Sequence, residues 1–582
     1  MLSRNCFVAI TVLTFATTVL SDDTQSDQQY VTVKTENGEV RGCTEFTLLE
    51  KRQYYAFKGI PYAKPTVGSL KFKAPQKVDS WTGVLNATDY GHSCLQIIPD
   101  TTMLTGEEDC LTLNIFTPNV NPSEKLPVIF YIHGGGLVYG GSIVQGPAFL
   151  LEEDVIFVTI NYRLGPFGFM SLGTPDYPGN AGFKDQLLAL KWVNDNIHHF
   201  GGDRNMITLH GHSSGSQSVN LHILSPASRG LFRRAIGGSG SALNPWAFTR
   251  QNHTKIVREW MEKPNASVDE IIEWLNTADR EQFLKSAYSP PDKREKSIMT
   301  TWSAVIENEE WENSFLTKSP GRYYREEPSD VDVMFGFSES ECLINWKTLS
   351  FVRKPLACNM TISTILLHSN LSMNILNLQL PLIGLNYTFD SDKYRVYKEE
   401  IRKFYFGDHP IDKDHLAEYI RMMDDVFFIY GIDQTIKAQA RRSTGRTYCY
   451  EFATVLGLNA FRDYANATAL GFTGATHVED MLYLFNTKIW APENLYDGLR
   501  LDSPEARFIK FLRTFILNFV KSGNPTPNDK PAAVKPIKGD VINYVRIEAD
   551  RLVPGVSPRR ESIQFWDEFF AKHPEVFDVE YI

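Results

Sequence analysis

Two short, nearly continuous hydrophobic runs constrain the fold of this chain more than any other feature of its sequence. They are Leu126–Ile132 (LPVIFYI) and residues 155–160 (VIFVTI). A strand with one solvated face alternates apolar and polar residues, whereas runs of this kind need cover on both faces, as in a parallel sheet. A less apolar strand is predicted at residues 205–210, and helices are predicted at residues 185–197 and 504–522. The alternation of strands with helices predicts an α/β architecture.

The composition agrees with a large folded core and argues against two classes of function. The chain has 582 residues, of which 43% are hydrophobic and 22% are charged. Its 59 lysine and arginine residues and 69 aspartate and glutamate residues give a net charge of −10, which disfavours binding to phosphate backbones. Beyond the first 21 residues, no apolar run reaches the roughly 18 residues of a membrane-spanning helix. We therefore expect no nucleic-acid partner and no membrane span.

The first 21 residues have the pattern of a secretory signal peptide. Arg4 supplies the positive start, an apolar run extends from Cys6 to Leu20, and small residues precede a cleavage position after Ser21. This pattern predicts a secreted, extracellular protein. Seven Asn-x-Ser/Thr sequons are compatible with that route as candidate glycosylation sites, and they are Asn86, Asn252, Asn265, Asn359, Asn370, Asn386 and Asn466.

A Gly-x-Ser-x-Gly sequence lies between a predicted strand and a predicted helix. It reads Gly211-His212-Ser213-Ser214-Gly215. In a strand–turn–helix of this type, the glycines let neighbouring backbone approach, and the serine hydroxyl projects at the amino terminus of the helix. The pentapeptide alone also fits an ordinary glycine-rich turn. Its position after a strand and before a helix favours Ser213 as a nucleophile.

A second glycine-rich turn, His133-Gly134-Gly135-Gly136, directly follows the hydrophobic run Leu126–Ile132. Successive glycines can turn their N–H groups into a concavity that binds a negatively charged oxygen. The turn lacks the Lys-Ser/Thr pair and the Gly-x-Gly-x-x-Gly spacing of phosphate-binding loops. We therefore predict an oxyanion hole made by the backbone N–H groups of Gly135, Gly136 and Ser214.

A serine nucleophile needs a general base and an acid that orients the base. Among 13 histidines, His477 is a candidate base because it lies in a polar, loop-like stretch before the apolar residues 481–485. For the acid, residues 331–343 (VDVMFGFSESECL) predict a strand and then a turn that carries Glu339 and Glu341. Periodicity alone does not choose between the two carboxylates.

Several ordered blocks carry a resemblance to a known family. They are FKGIPYA at 57–63, EDCL at 108–111, NYR at 161–163, GFKDQ at 182–186, FGGD at 200–203 and SGS at 239–241. With these blocks the chain resembles the type-B carboxylesterase and cholinesterase family of α/β-hydrolases from about residue 30 to about residue 570. The resemblance implies a large, mostly parallel central sheet flanked by helices, and a single α/β-hydrolase domain at residues 22–582 after a signal peptide at residues 1–21.

Carried over residue by residue, the resemblance implies Ser213 as nucleophile, Glu341 as acid and His477 as base. Ser239 matches a family serine that supports these three residues without belonging to them. Cys342 stands where the family usually has glycine after the acid, and a residue bulkier than glycine could shift the local turn.

The resemblance also implies a disulfide between Cys94 and Cys110. Cholinesterases hold a quaternary ammonium group against a tryptophan in the loop that this disulfide closes, through a cation–π interaction. In this chain the loop reads LQIIPDTTMLTGEED and contains no aromatic residue. A choline-selective enzyme is therefore not expected.

The implied function is a secreted serine carboxylesterase that hydrolyses a small carboxylic ester through an acyl-enzyme. The chemistry requires neither a metal ion nor an organic cofactor. One alternative is a juvenile-hormone-type esterase, whose nucleophile motif usually has glutamine in place of His212. The other is a non-catalytic, neuroligin-like adhesion protein, which typically lacks a member of the triad. All three triad residues and the glycine loop are present here, which favours the enzyme.

Overall fold

The computed structural model describes most of the chain after the predicted signal peptide. The described residues are 29–98, 103–249, 251–279, 281, 283–284, 287, 301–343, 392–409, 415–464, 467–487, 492, 494–527, 533–574 and 576. The predicted signal peptide at residues 1–21 lies outside these ranges, as do the sequons at Asn359, Asn370, Asn386 and Asn466. The sequon asparagines Asn86, Asn252 and Asn265 are described, and all three are exposed.

The strands, in chain order, are β1 (Tyr30–Lys34), β2 (Glu39–Phe46), β3 (Gln53–Pro61), β4 (Val84–Asn86), β5 (Gln96–Ile97), β6 (Leu104–Thr105), β7 (Thr112–Thr117), β8 (Leu126–Ile132), β9 (Gln145–Gly146), β10 (Ile156–Ile160), β11 (Gly202–His212), β12 (Arg234–Gly238), β13 (Asp332–Ser338), β14 (Thr447–Phe452), β15 (Asn486–Thr487), β16 (Asn543–Glu548) and β17 (Arg551–Val556). The three strands predicted from hydrophobic pattern correspond to β8, β10 and β11.

The helices, in chain order, are α1 (Gly165–Phe169), α2 (Ala181–Asn196), α3 (Ser214–Leu224), α4 (His253–Trp260), α5 (Val268–Thr277), α6 (Pro320–Glu326), α7 (Asp392–Phe406), α8 (Leu416–Asp424), α9 (Tyr430–Arg442), α10 (Ala460–Tyr464), α11 (Met481–Leu484), α12 (Pro504–Ser522) and α13 (Arg560–Lys572). A π-helical turn, Asp425–Ile429, joins α8 to α9, and short 3₁₀ turns include Ile197–Phe200 and Glu341–Leu343.

Thirteen of the described strands form one sheet, in the order β1-β2-β3-β7-β10-β8-β11-β12-β13-β14-β16-β17, with β4 paired to β2. The seven strands from β10 to β16 along this order are parallel to one another, and the other pairs along the order are antiparallel. This is the large, mostly parallel sheet of an α/β-hydrolase, as the sequence predicted.

The hydrophobic run in β8 is explained by burial on both faces of the sheet. Because successive side chains of a strand point to opposite faces, β8 contributes to two separate cores. Val128, Phe130 and Ile132 pack in one hydrophobic cluster. Ile129 and Tyr131 pack in the other. A polar residue at any of these positions would face packed hydrophobic side chains rather than water.

Helix α12 covers the second of these clusters and has the ends that its sequence predicts. Ser503 accepts a hydrogen bond from the Ala506 N–H at 3.1 Å, and Gly523 ends the helix with a left-handed φ of 68°. The predicted stripe of Phe508, Phe511, Leu512, Phe515 and Phe519 faces the core, and only Phe511 among these five is partly exposed.

The carboxyl ends of the central parallel strands lie at one edge of the sheet, where ligands bind in open α/β sheets. The turns that carry Gly135, Ser213 and Ser239 leave this edge directly after β8, β11 and β12. The Glu341 turn follows β13 in the same way. The fold therefore brings the predicted site residues to one side of the sheet.

The predicted disulfide is present. Cys94 and Cys110 are bonded with a Cα–Cα distance of 5.0 Å, and their bond closes the loop that contains β5 and β6. Across the described part of the chain, no helix is both long enough and apolar enough to span a membrane.

Candidate active site

Ser213 occupies a strained turn between β11 and α3. Its backbone has φ 60° and ψ −126°, a conformation that residues other than glycine rarely adopt. The turn is tight because a Cβ atom at Gly211 would lie 2.3 Å from the Gly215 carbonyl oxygen, and one at Gly215 would lie 2.2 Å from that of Ile132. The N–H of Ser213 donates to the Gly238 oxygen at 2.8 Å. The two flanking glycines are therefore steric requirements of the turn.

The predicted oxyanion loop lies against this turn. A Cβ atom at Gly134 would come within 3.2 Å of Ser213 Cβ. Gly135 and Gly136 have left-handed φ values of 112° and 60°, and a Cβ at Gly135 would lie 2.0 Å from the Tyr139 oxygen. The N–H groups of Gly135 and Gly136 donate to no acceptor among the described residues. Both donors are thus available to a ligand beside Ser213.

Ser214 joins the two turns. Its Oγ accepts a hydrogen bond from the Leu137 N–H at 3.2 Å. Its own N–H is the first of helix α3, a position that has no partner within the helix. The Ser214 side chain therefore links the glycine loop to the Ser213 turn.

Glu341 and His477 form a short hydrogen bond. Glu341 Oε2 lies 2.6 Å from His477 Nδ1, and the Glu341 side chain is fully buried. Its other oxygen accepts the Ser338 N–H at 2.6 Å, so the carboxylate is held from both sides. A bridge between Ser340 and Thr476 joins the two loops that carry the pair. Burial lowers the pKa of His477, and the hydrogen bond to Glu341 opposes that shift.

The turn at Glu341 accommodates Cys342 without a glycine. Cys342 lies in the 3₁₀ turn Glu341–Leu343 and is not among the residues with positive φ, so a side chain causes no backbone strain there. Its N–H donates to Asp424 Oδ1 at 2.6 Å. Burial raises the pKa of Asp424 well above the usual value. The departure from the family pattern is therefore tolerated, and a buried acid on α8 supports the turn.

Glu339, the alternative carboxylate, faces away from His477. Its Oε1 forms an ion pair with Arg546 Nη2 at 2.8 Å, and its backbone oxygen accepts from Arg559. The geometry thus separates the two carboxylates that periodicity left equivalent. It places Glu341 in contact with the imidazole and Glu339 in an ion pair with a different strand.

The turn after β12 packs behind the Ser213 turn. Ser239 has a left-handed φ of 55°, and its N–H donates to the Gly336 oxygen at 2.7 Å. A Cβ atom on the next residue, Gly240, would lie 2.4 Å from the backbone carbonyl oxygen of Ser213. The segment therefore contacts the backbone of the Ser213 turn, which is consistent with a supporting position for Ser239.

A second buried histidine–carboxylate contact adjoins the site and was not predicted. His212 Nε2 lies 3.4 Å from Asp480 Oδ1, and the rings of His212 and His477 are 4.7 Å apart. Burial by itself would raise the pKa of Asp480, but the imidazoles of His212, His477 and His210 hold it below the usual value. The only sequence signal was an aspartate three residues after His477 in the same loop.

Phe428 and Trp246 add an apolar wall that the sequence did not reveal. The Phe428 ring lies 4.9 Å from the His477 ring and 6.0 Å from that of Trp246. Phe428 belongs to the π-helical turn between α8 and α9, and π-helical turns are frequent at functional sites. One side of the His477 imidazole is therefore bordered by aromatic rings.

No hydrogen bond joins Ser213 Oγ to the His477 ring among the residues that the structure describes. The ring contact between His212 and His477 is what places His477 beside the Ser213 turn. Catalytic hydrogen bonds are often long without substrate and shorten when substrate binds. Proton transfer between these residues would therefore require Oγ and the imidazole to approach each other.

Comparison with known proteins identifies the family. The sequence model of the carboxylesterase family matches residues 29–566. The chain belongs to the carboxylesterase family. It is 33% identical to Esterase FE4 of Myzus persicae over 530 residues, which cover 88% of this chain and 89% of that protein. It is also 33% identical to the juvenile hormone esterase of Tribolium castaneum over 539 residues, which cover 86% and 87%.

A solved structure supports the same assignment. The crystal structure of juvenile hormone esterase from Manduca sexta, with OTFP covalently attached, matches this carboxylesterase with a TM-score of 0.76. The sequence identity is 27%, and the match covers 93% of this chain and 100% of the other. With the family match, these similarities make the protein a carboxylic ester hydrolase.

The two carboxylates of the β13 turn can be separated by mutation. We predict that Glu341→Gln lowers turnover on the best available ester about 10⁴-fold, because a neutral amide cannot stabilise the imidazolium that forms during attack. Glu339→Gln, the matched control in the same turn, should cost about tenfold or less. Turnover and melting temperature of both purified variants provide the measurement. A large loss of turnover in Glu339→Gln, together with nearly normal turnover in Glu341→Gln, would contradict the assignment of Glu341 as the acid.

Proposed function

We propose that this carboxylesterase hydrolyses small, uncharged carboxylic esters through an acyl-enzyme formed on Ser213. The observation that carries the proposal is the 2.6 Å contact between the buried Glu341 and His477 beside the strained Ser213 turn. An acid, an imidazole and a serine in chain order Ser, Glu, His form the arrangement that serine hydrolases of α/β folds use. No metal ion or organic cofactor takes part in the proposed chemistry.

In the proposed reaction, His477 takes the hydroxyl proton while Ser213 Oγ bonds to the ester carbonyl carbon. The carbonyl oxygen becomes an oxyanion, which the N–H groups of Gly135, Gly136 and Ser214 stabilise. The bond to the alcohol oxygen then breaks, and the alcohol leaves with the proton from His477. A water molecule repeats the sequence on the acyl-enzyme and releases the carboxylic acid.

Glu341 has two tasks in this mechanism. Its hydrogen bond to Nδ1 fixes the tautomer of His477, which leaves the other ring nitrogen to accept the serine proton. Its negative charge stabilises the imidazolium that forms when the proton is transferred. The N–H of Ser338 holds the other carboxylate oxygen at 2.6 Å, so the orientation of Glu341 is set before substrate binds.

We also propose that the protein is secreted and that residues 22–582 form one domain. The signal-like pattern of residues 1–21, the Cys94–Cys110 disulfide and the exposed sequons at Asn86, Asn252 and Asn265 support secretion. The single domain is supported by the sheet, since β1 and β17 come from opposite ends of the chain and belong to the same sheet.

A juvenile-hormone-type esterase is the second candidate function. The similarity to two juvenile hormone esterases favours it. His212, at the position where such enzymes usually have glutamine, favours a general esterase. The presence of Ser213, Glu341 and His477 argues against a neuroligin-like adhesion protein, because such relatives typically lack a member of the triad.

The nucleophile can be tested directly. We predict that Ser213→Ala lowers turnover by roughly 10⁴- to 10⁶-fold, because the acyl-enzyme cannot form. Secretion and melting temperature should change little. An organophosphate should label the unmodified protein at Ser213 and should not label the variant, as read by peptide mass spectrometry. Labelling of a different serine would contradict the assignment.

The absence of an aromatic residue between Cys94 and Cys110 predicts weak discrimination in favour of cationic substrates. Turnover of acetylthiocholine should exceed that of an uncharged thioester of similar size by less than about tenfold, because the cation–π contact, worth about 2 kcal/mol when desolvated, is missing. The prediction is tested by comparing the kcat/KM values of the two substrates, measured on one enzyme preparation. A larger preference for the cation would exclude the uncharged ester class proposed above.

The contact between His212 and Asp480 should appear in the pH dependence of kcat/KM. The reaction needs neutral His477, so activity rises as pH passes above its pKa. The negative charge of Asp480 raises that pKa, and the charge of His212 lowers it. We therefore expect Asp480→Asn to move the acidic limb to lower pH and His212→Gln to move it to higher pH.

The other titratable groups that face these residues remain in both variants, and they are Glu341, His210, Tyr131 and Tyr450. Glu339→Gln serves as a control that removes a carboxylate from the neighbouring turn. Shifts in the same direction for Asp480→Asn and His212→Gln, or no shift in either, would show that the two side chains do not set the pKa of His477.

A further inference from the structure

A group of three metal-ligating side chains lies at the end of the sheet opposite Ser213. Glu36 lies in the turn between β1 and β2, and His198 and His199 lie in the 3₁₀ turn Ile197–Phe200, just before β11. We propose that these three residues bind a divalent transition-metal ion of the zinc class. Strand β11 has 11 residues, so at about 3.3 Å per residue this site is roughly 30 Å from the nucleophile.

The spacing of the ligand atoms suits such an ion. His199 Nε2 and Glu36 Oε1 are 3.4 Å apart, and one ligand atom from each of the three residues lies within 4.8 Å of the others. Zinc bonds of about 2.0–2.1 Å in tetrahedral geometry put ligand atoms about 3.3 Å apart. His199 Nε2 and Glu36 Oε1 are therefore already at the separation that zinc requires. Rotation of the His198 side chain would bring the third ligand atom to the same separation.

The backbone of the two turns is already held together. The Glu36 N–H donates to Asn196 Oδ1 at 2.9 Å. The Trp192 indole N–H donates to Asn37 Oδ1 at 2.8 Å. Both bonds tie the β1–β2 turn to the end of helix α2, which leads directly into the two histidines. Metal binding would therefore order only side chains, which reduces its entropic cost.

The imidazole of His198 is in a suitable state for a metal bond. Its Nδ1 is buried and has no hydrogen-bond partner among the described residues. The neutral imidazole is the form that coordinates a metal, and a ring nitrogen without a hydrogen-bond partner can form that bond without first losing another one.

The donor set and the surrounding charges select the class of ion. Two imidazole nitrogens and one carboxylate favour zinc and its neighbours over calcium and magnesium, which take oxygen ligands. Lys125 donates to the His198 backbone oxygen at 2.9 Å, and Arg204 lines the same cavity as His198. These cations oppose purely electrostatic binding of a hard ion, whereas direct nitrogen–metal bonds can overcome them.

A cavity gives the ion a route and room for a water ligand. It has a volume of about 480 Å³ and is lined by Glu36 and His198 together with Trp192 and Asp195. A bound ion would link the antiparallel edge of the sheet, at the β1–β2 turn, to the segment between α2 and β11. The site is separate from the ester chemistry, so the proposal does not rest on the proposed function.

The test is binding of zinc itself to the purified full-length protein after treatment with a chelator. Calorimetric titration should show saturable binding of one zinc ion per chain. Co²⁺ in place of zinc should give the visible absorption of a site with nitrogen ligands and low coordination number. Glu36→Gln, His198→Gln and His199→Gln should each weaken zinc binding at least about tenfold, while ester hydrolysis stays unchanged.

A matched control uses a second histidine pair, His409 and His415, whose rings lie 4.9 Å apart. The double variant His409→Gln/His415→Gln should bind zinc as the unmodified protein does. Far-ultraviolet circular dichroism of every variant establishes that it is folded. Absence of saturable binding, or binding that persists in the three site variants and is lost in the control, would overturn the proposal.

Discussion

The burial of the central parallel strands on both faces is the constraint on which the rest of this carboxylesterase depends. Strand β8 sends alternate side chains into two hydrophobic cores, and every residue of the strand after Leu126 is buried. Functional groups must therefore come from the turns at the ends of the strands. The turns after β8, β11, β12 and β13 all leave the same edge, and this brings the glycine loop, Ser213, Ser239 and Glu341 together.

Placement at that edge is achieved by close backbone contacts rather than by flexible side chains. Gly211 and Gly215 allow the Ser213 turn to pack against its own helix and against Ile132, where a Cβ atom would lie about 2 Å from a carbonyl oxygen. The unusual backbone angles of Ser213 persist because these contacts leave no alternative. A serine held in this way would lose little conformational freedom in the proposed attack, which is the general advantage of a preorganised nucleophile.

The charges of the site are buried, and each carboxylate has partners that offset its loss of hydration. Glu341 has the His477 imidazole and the Ser338 N–H, and Asp480 has the neighbouring imidazoles and the N–H of Met481 at 3.0 Å. Without such partners, burial would disfavour the charged form of a carboxylate. The electrostatics of the proposed base are therefore set by two acids and a second histidine.

The sequence by itself determined the central strands, the α/β class, the ends of helix α12 and the positions of Ser213 and the glycine loop. These features follow from local patterns, in which neighbouring residues carry all the information. The resemblance to the family supplied Glu341 and His477, and the structure places the two side chains in contact. Only the tertiary structure decided that Glu339 faces Arg546 and that His212 meets Asp480. The direction in which a side chain leaves a turn depends on what packs against that turn, and those residues are hundreds of positions away in the chain.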